Sequence, residues 1–195
     1  MPKIFLISDL HFGHRNIIGY SNRPFLTAWG MDRALVKNWN ETVGPEDRVF
    51  YLGDFVWRGP IGRYIRILNG KKTFIRGNHD GRMHAGYDSV TLAYQGREFL
   101  LVHDPADVPE SWKGWVIHGH HHNSDTEQYP FINPKAKRIN VSCELIGYRP
   151  IDLDLILSLD LDRVGYIEKL GPRGAGRSGP GKKGFMQRVG QKLGH

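Results

Sequence analysis

The chain reads as an α/β protein in which two mixed β-sheets pack face to face as a sandwich, flanked by α-helices. Three observations predict this. Apolar strand-like runs alternate with helical periodicity through the first half, and from residue 88 onward strands follow one another almost without helices. The third is length, since 195 residues suffice for one full core and are short for two.

Taken in order, Ile4 to Ile7 is an apolar run of strand length that breaks at Ser8-Asp9-Leu10-His11, whose polar side chains alternate as an extended strand end would place them. A polar, aromatic loop then leads through Asn22-Arg23-Pro24-Phe25. Ala28, Met31, Leu35 and Trp39 recur at three- and four-residue spacing, which predicts a helix over residues 28–40 with one inward face, closed by Gly44-Pro45. Val49 to Leu52 is a second strand running into Gly53-Asp54. A short helix over 61–68 stops at Asn69-Gly70, and a third strand over 73–76 delivers the chain to Gly77-Asn78-His79-Asp80. This alternation implies parallel strands joined by right-handed crossovers.

The second half opens with runs over 89–94 and 98–102, joined by Gln95-Gly96 as a tight hairpin. The latter run ends at His103-Asp104-Pro105. Trp115-Val116-Ile117 leads into His118-Gly119-His120-His121-His122, a further strand is expected over 138–142, and residues 152–159 suit a short closing helix.

Composition narrows the function classes. Hydrophobic residues make up 39% and charged residues 24%, as in soluble globular proteins. The apolar run near the start is far shorter than a membrane span or a secretion signal, so a cytoplasmic protein is expected. The lone Cys143 has no internal disulfide partner, which agrees with a reducing compartment, and it reads as a small buried apolar residue. The net charge of +7 looks like a nucleic-acid signal until it is located. Six of the 27 basic residues and none of the 20 acidic ones lie between Gly171 and the last residue, leaving residues 1–170 nearly balanced. One folded domain over 1–170 is therefore expected, followed over 171–195 by a basic, glycine-rich tail too polar to order itself, through which nucleic acid could be contacted.

The chemistry collects at the strand ends: Asp9 and His11, Asp54, Asn78 and His79, His103, then His120 and His122. One polar strand end is unremarkable; five ending in nitrogen or oxygen donors are hard to reach by chance, because α/β sites form beyond the carboxyl ends of strands. Imidazole, carboxylate and one amide suit Mn, Fe or Zn better than Mg or Ca alone. Even seven of these eight donors are too many for one tetrahedral ion, whereas two ions about 3.5–4 Å apart, bridged by a carboxylate, use that number well.

Asp9-Leu10-His11, Gly53-Asp54, Gly77-Asn78-His79-Asp80, His103 and Gly119-His120-His121-His122 stand in the order that marks the calcineurin-like metallophosphoesterase superfamily. The chain resembles a small phage or bacterial member over its first 165 residues or so. The resemblance implies that Asp9, His11, Asp54 and His122 hold one divalent ion and Asp54, Asn78, His103 and His120 the other, manganese being favoured. It also implies that water activated between them attacks phosphorus, with His79 the general acid. Imidazole titrates near neutrality, which suits that task. Asp80 could orient His79 or cap the next turn. His14 reads as a phosphate contact or a plain loop residue. Arg58 stands where the protein phosphatases of the family carry a phosphate-binding arginine, and a solvated loop arginine is the competing reading. Trp57 replaces the second aspartate of those phosphatases, which argues against a protein substrate. His118 reads as a buried structural imidazole, and His121 as a surface residue.

The expected activity is hydrolysis of small phosphodiesters, 2′,3′- or 3′,5′-cyclic nucleotides among them. Phosphomonoester or nucleic-acid hydrolysis at the same site is the alternative, and a non-catalytic scaffold a more distant one.

Overall fold

The computed structural model describes residues 1–81 and 86–170. The chain order is β1 (Ile4–Ile7), α1 (Ile17–Tyr20), α2 (Ala28–Asn40), β2 (Arg48–Leu52), α3 (Ile61–Ile67), β3 (Lys71–Ile75), β4 (Ser89–Tyr94), β5 (Arg97–Val102), a 3-10 turn at Pro105–Asp107, β6 (Trp115–His118), β7 (Ile132–Asn133), β8 (Arg138–Asn140), β9 (Ile151–Asp152) and α4 (Leu153–Leu157). The strands form two mixed sheets, ordered β3-β2-β1-β9 and β4-β5-β6-β8-β7.

In the first sheet β1, β2 and β3 run parallel and β9 antiparallel to β1. In the second, β5, β6 and β8 run parallel while β4 and β7 run against them. All four residues of β1 and of β6 are buried, as strands covered on both faces must be. Between the sheets Leu6, Leu52, Phe99, Ile117 and Ile139 are fully buried in one core. A parallel bridge between Ser8 and Ser142 joins the ends of β1 and of the second sheet. The carboxyl ends of β1, β2, β3, β5 and β6 are thereby brought to one edge.

Helix α2 starts where Thr27 Oγ1 accepts from the Gly30 amide at 3.0 Å, and buries the Met31, Leu35 and Trp39 face. The expected hairpin at Gln95-Gly96 has both residues at positive φ, 48° and 76°, as a two-residue turn of type I′ requires. Three stretches differ from the sequence reading. The loop before α2 contains the one-turn helix α1. The closing helix is shorter than expected, because Ile151 and Asp152 pair with β1 before Asp152 caps the amide of Asp154. The β7 segment has only two residues, too few to show alternation. The expected tail, 171–195, lies outside the described residues, and no described helix is long and apolar enough to cross a membrane.

Candidate dinuclear metal site

All seven predicted ligands come together at the shared strand edge, and most do so in an unusual backbone state. Asp9, His11, Asp54, His120 and His122 have φ of 60°, 51°, 61°, 72° and 49°, a left-handed region that non-glycine residues occupy at a cost. The turns that end β1, β2 and β6 thus carry their ligands in this state, whereas Asn78 after β3 and His103 after β5 do not. The extended alternation predicted for Ser8 to His11 is corrected accordingly: the chain turns sharply at Asp9 and again at His11.

Three motif glycines make room for these turns. A Cβ at Gly77 would lie 2.2 Å from Asp54 Oδ1 and 2.5 Å from its amide nitrogen. One at Gly53 would meet His103 Nδ1 at 2.3 Å, and one at Gly119 would meet Ser8 Oγ at 2.3 Å and Asp9 Oδ2 at 2.5 Å. Each ligand loop is therefore packed against the next with no space for a side chain. Tyr51, fully buried, ties two of them by accepting from the Leu10 amide at 2.8 Å and donating to the Asp54 carbonyl at 3.1 Å.

The donor atoms converge on two points. Asp54 Oδ1 accepts from the His79 amide, which leaves Oδ2 facing His11 Nε2 at 3.4 Å and His103 Nε2 at 3.5 Å. On one side, single donor atoms of Asp9, His11 and His122 lie within 4.8 Å of one another. On the other, Asn78 Oδ1 sits 3.0 Å from His103 Nε2 and 3.1 Å from His120 Nδ1, and those two nitrogens are 3.2 Å apart. His11 Nε2 is buried without a hydrogen-bond partner among the described residues. An orphaned imidazole nitrogen is costly unless a cation completes it, so the donor set fits a pair of divalent ions.

Outer contacts fix which atom each ligand presents. His103 Nδ1 donates to the Leu52 carbonyl at 2.8 Å, and His122 Nδ1 to Glu144 Oε1 at 2.9 Å. Asp9 Oδ2 accepts from the hydroxyls of Ser8 and Ser142 at 2.6 and 2.8 Å, which leaves Oδ1 toward His122. Charge follows the same pattern. Burial holds His11 down to about 4, whereas His103 rises to about 9 because Asp54 and Asp9 outweigh its burial. Asp54 falls to about 2, its burial overcome by His103 and His11.

Predicted residues outside the ligand set fare differently. His79 is exposed, with its ring 5.7 Å from that of His11 and edge-on to Trp57 at 5.0 Å. Asp80 has no hydrogen bond to its ring among the described residues. Both Asp80 oxygens are taken by backbone amides, Oδ2 by Asp54 at 2.7 Å and Gly77 at 2.9 Å, and Oδ1 by Phe55 at 2.9 Å. Its role is to clamp the Gly77 turn against the Asp54 turn. His14 is buried beneath Trp57 at a ring distance of 4.3 Å, and its Nδ1 accepts from the Ile17 amide at 3.2 Å, so its neutral form carries the proton on Nε2. Arg58 is exposed and makes no ion pair among the described residues, while its carbonyl packs over Gly13. His118 is fully buried and donates to the Gly119 carbonyl at 2.9 Å. His121 is not a free surface residue: its ring stacks on Tyr129 at 3.5 Å.

Sequence reasoning passed over Arg23, Glu144, Ser8 and Ser142. Each looks like an ordinary loop or strand-end residue, and none has a spacing that marks it.

A family model described as calcineurin-like phosphoesterase matches residues 2–160. The chain belongs to that family. It is 47% identical over 164 residues to an uncharacterised protein of Methanocaldococcus jannaschii, covering 82% of this chain and 92% of that one. It is 30% identical over 138 residues to the gene 66 protein of Mycobacterium phage D29, covering 68% and 66% of the two chains. Among solved structures, a protein of unknown function from Aquifex aeolicus superposes with a TM-score of 0.63 at 26% identity, covering 82% of this chain and all of that one. Family, fold and clustered donors together support metal-dependent phosphoesterase activity in general.

Proposed function

We propose that this calcineurin-like chain hydrolyses small phosphodiesters, cyclic nucleotides among them, with two divalent ions, manganese favoured. The observation that carries the reading is the single oxygen of Asp54, Oδ2, set between His11 on one side and His103 on the other. Bound ions would supply Lewis acidity and an activated water there. The carboxylate, amide and imidazole donors accommodate manganese. In this reading exposed His79, its ring 5.7 Å from that of His11, gives a proton to the departing alkoxide.

Preference for a diester rests on charge. The cleft beside Asn78 and His103, about 520 Å³, is lined by Asp88, Asp104 and Asp107 with Arg76 paired to Asp88. An acidic wall repels a doubly charged monoester more than a singly charged diester. The presence of every ligand and of His79 speaks against a scaffold. The test is turnover by the manganese-loaded chain of bis-nitrophenyl phosphate, nitrophenyl phosphate and 2′,3′- and 3′,5′-cyclic nucleotides. Diester hydrolysis well above monoester hydrolysis is expected, and turnover of monoesters alone would overturn the preference.

A further inference from the structure

The two halves of the site are not built alike. His122 points its Nδ1 at Glu144 Oε1 at 2.9 Å, and the same oxygen takes Arg23 Nε at 2.9 Å and Nη2 at 2.7 Å. Both charged side chains are almost wholly buried, 0% and 2% exposed, so their attraction is little screened. Arg23 also donates to the carbonyls of Leu10 at 2.8 Å and Asp9 at 2.7 Å. One guanidinium therefore holds the turn that bears Asp9 and His11 to the carboxylate that orients His122. The corresponding contact on the other side is looser: His120 Nε2 lies 3.4 Å from Asp104 Oδ2, and both side chains are about 30% exposed. That side also offers the neutral amide of Asn78 where the first offers the carboxylate of Asp9.

We infer that Glu144, held by Arg23, is a positioning residue that presents His122 Nε2 to the metal, and that it makes the Asp9–His11–His122 position the tighter of two unequal metal positions. This rests on the dinuclear reading above. Two physical reasons carry it. Greater anionic charge among the ligands raises affinity for a divalent cation. A carboxylate on the far imidazole nitrogen fixes the tautomer and ring direction before metal arrives, and losing such a partner typically costs about 10–100-fold in affinity. The ion pair contributes no net charge, so Arg23 does not cancel the attraction of Asp9.

The test is titration of the metal-free full chain with Mn²⁺, reading free ion by electron paramagnetic resonance, with no substrate present. Wild type should bind two ions in classes separated by at least about tenfold. Glu144→Gln should weaken the tighter class by about 10–100-fold and leave the weaker one within about twofold, whereas Asp104→Asn should move only the weaker one. Binding of one ion or none would overturn the dinuclear reading, and this inference with it. Two classes unmoved by Glu144→Gln, or both weakened alike, would overturn the positioning role alone. Should Glu144→Gln not fold, nitrogen-15 spectra of the zinc-loaded wild-type chain decide the matter: the proton of His122 is expected on Nδ1, and finding it on Nε2 would overturn the assignment.

Discussion

The backbone amide of His79 donates to Oδ1 of Asp54 at 2.9 Å. The peptide of the proposed acid is thus fastened to the oxygen of Asp54 that does not face the other ligands. It follows that the ring of His79 can be removed without disturbing this contact, because the amide remains. His79→Ala is expected to keep its metal content by elemental analysis while losing about 10²–10⁴-fold in kcat on esters with alkyl leaving groups. On nitrophenyl esters, whose leaving group needs little protonation, the loss should be much smaller.

Removing Asp54 should do the reverse. Asp54→Ala takes away the oxygen shared by His11 and His103 and leaves the His79 amide without its acceptor. Metal content should fall with activity, and added manganese should not restore either at concentrations that saturate the wild type.

Asp80 separates two roles by experiment. Its carboxylate satisfies three backbone amides, and leaving even some of these unpaired costs about 1–3 kcal/mol each. Asp80→Ala should therefore lower stability by at least about 2 kcal/mol in urea denaturation of the metal-free chain. An unchanged midpoint with a shifted pH–rate profile would instead restore Asp80 as the orienter of His79.

Gly77→Ala places a methyl group against the Asp54 carboxylate and backbone. Neither neighbour is the free end of a flexible side chain, so the two ligand turns must separate. Destabilisation of about 1–3 kcal/mol is expected, with weaker manganese binding measured by calorimetry.

Stability of the metal-free protein should peak near pH 6.5. His103 is raised to about 9 against an ordinary value of 6.5, so folding favours its protonated form. Its contribution is complete below about pH 6.5 and is lost as pH rises through about 9. His11 and His118 are lowered to about 4 and about 3, chiefly by burial, so the folded state favours their neutral forms and is weakened as pH falls below about 6.5. Melting temperature against pH in chelator tests this dome. At pH 7 manganese uptake should also release a proton from His103, seen as a dependence of binding enthalpy on buffer ionisation.

Much of this molecule could be read from its residues. Helix α2 was legible because Ala28, Met31, Leu35 and Trp39 mark one face at helical spacing, three of them buried in the structure; its cap by Thr27 came only from the structure. Four of the five ligand-bearing strand ends were legible because a buried strand is a largely apolar run, and the first polar residues after it must lie at the sheet edge; β3 buries only Ile75 and was marked by the Gly77-Asn78 turn that follows it. Strand β9 was not, since two residues show no period and Ile151-Asp152 adjoins a helical stretch.

The site divides along the same line. Sequence by itself determined which candidate metal donors meet, because local apolar runs and their polar ends set the strands, and parallel pairing sends those ends to one edge. Only the tertiary structure decided what each side chain does there. The left-handed turns at Asp9, His11, Asp54, His120 and His122, the clamp formed by Asp80, and the Arg23–Glu144 pair behind His122 all depend on contacts between residues distant in the chain. Glu144 lies 121 residues from Arg23, and no local spacing records such a meeting.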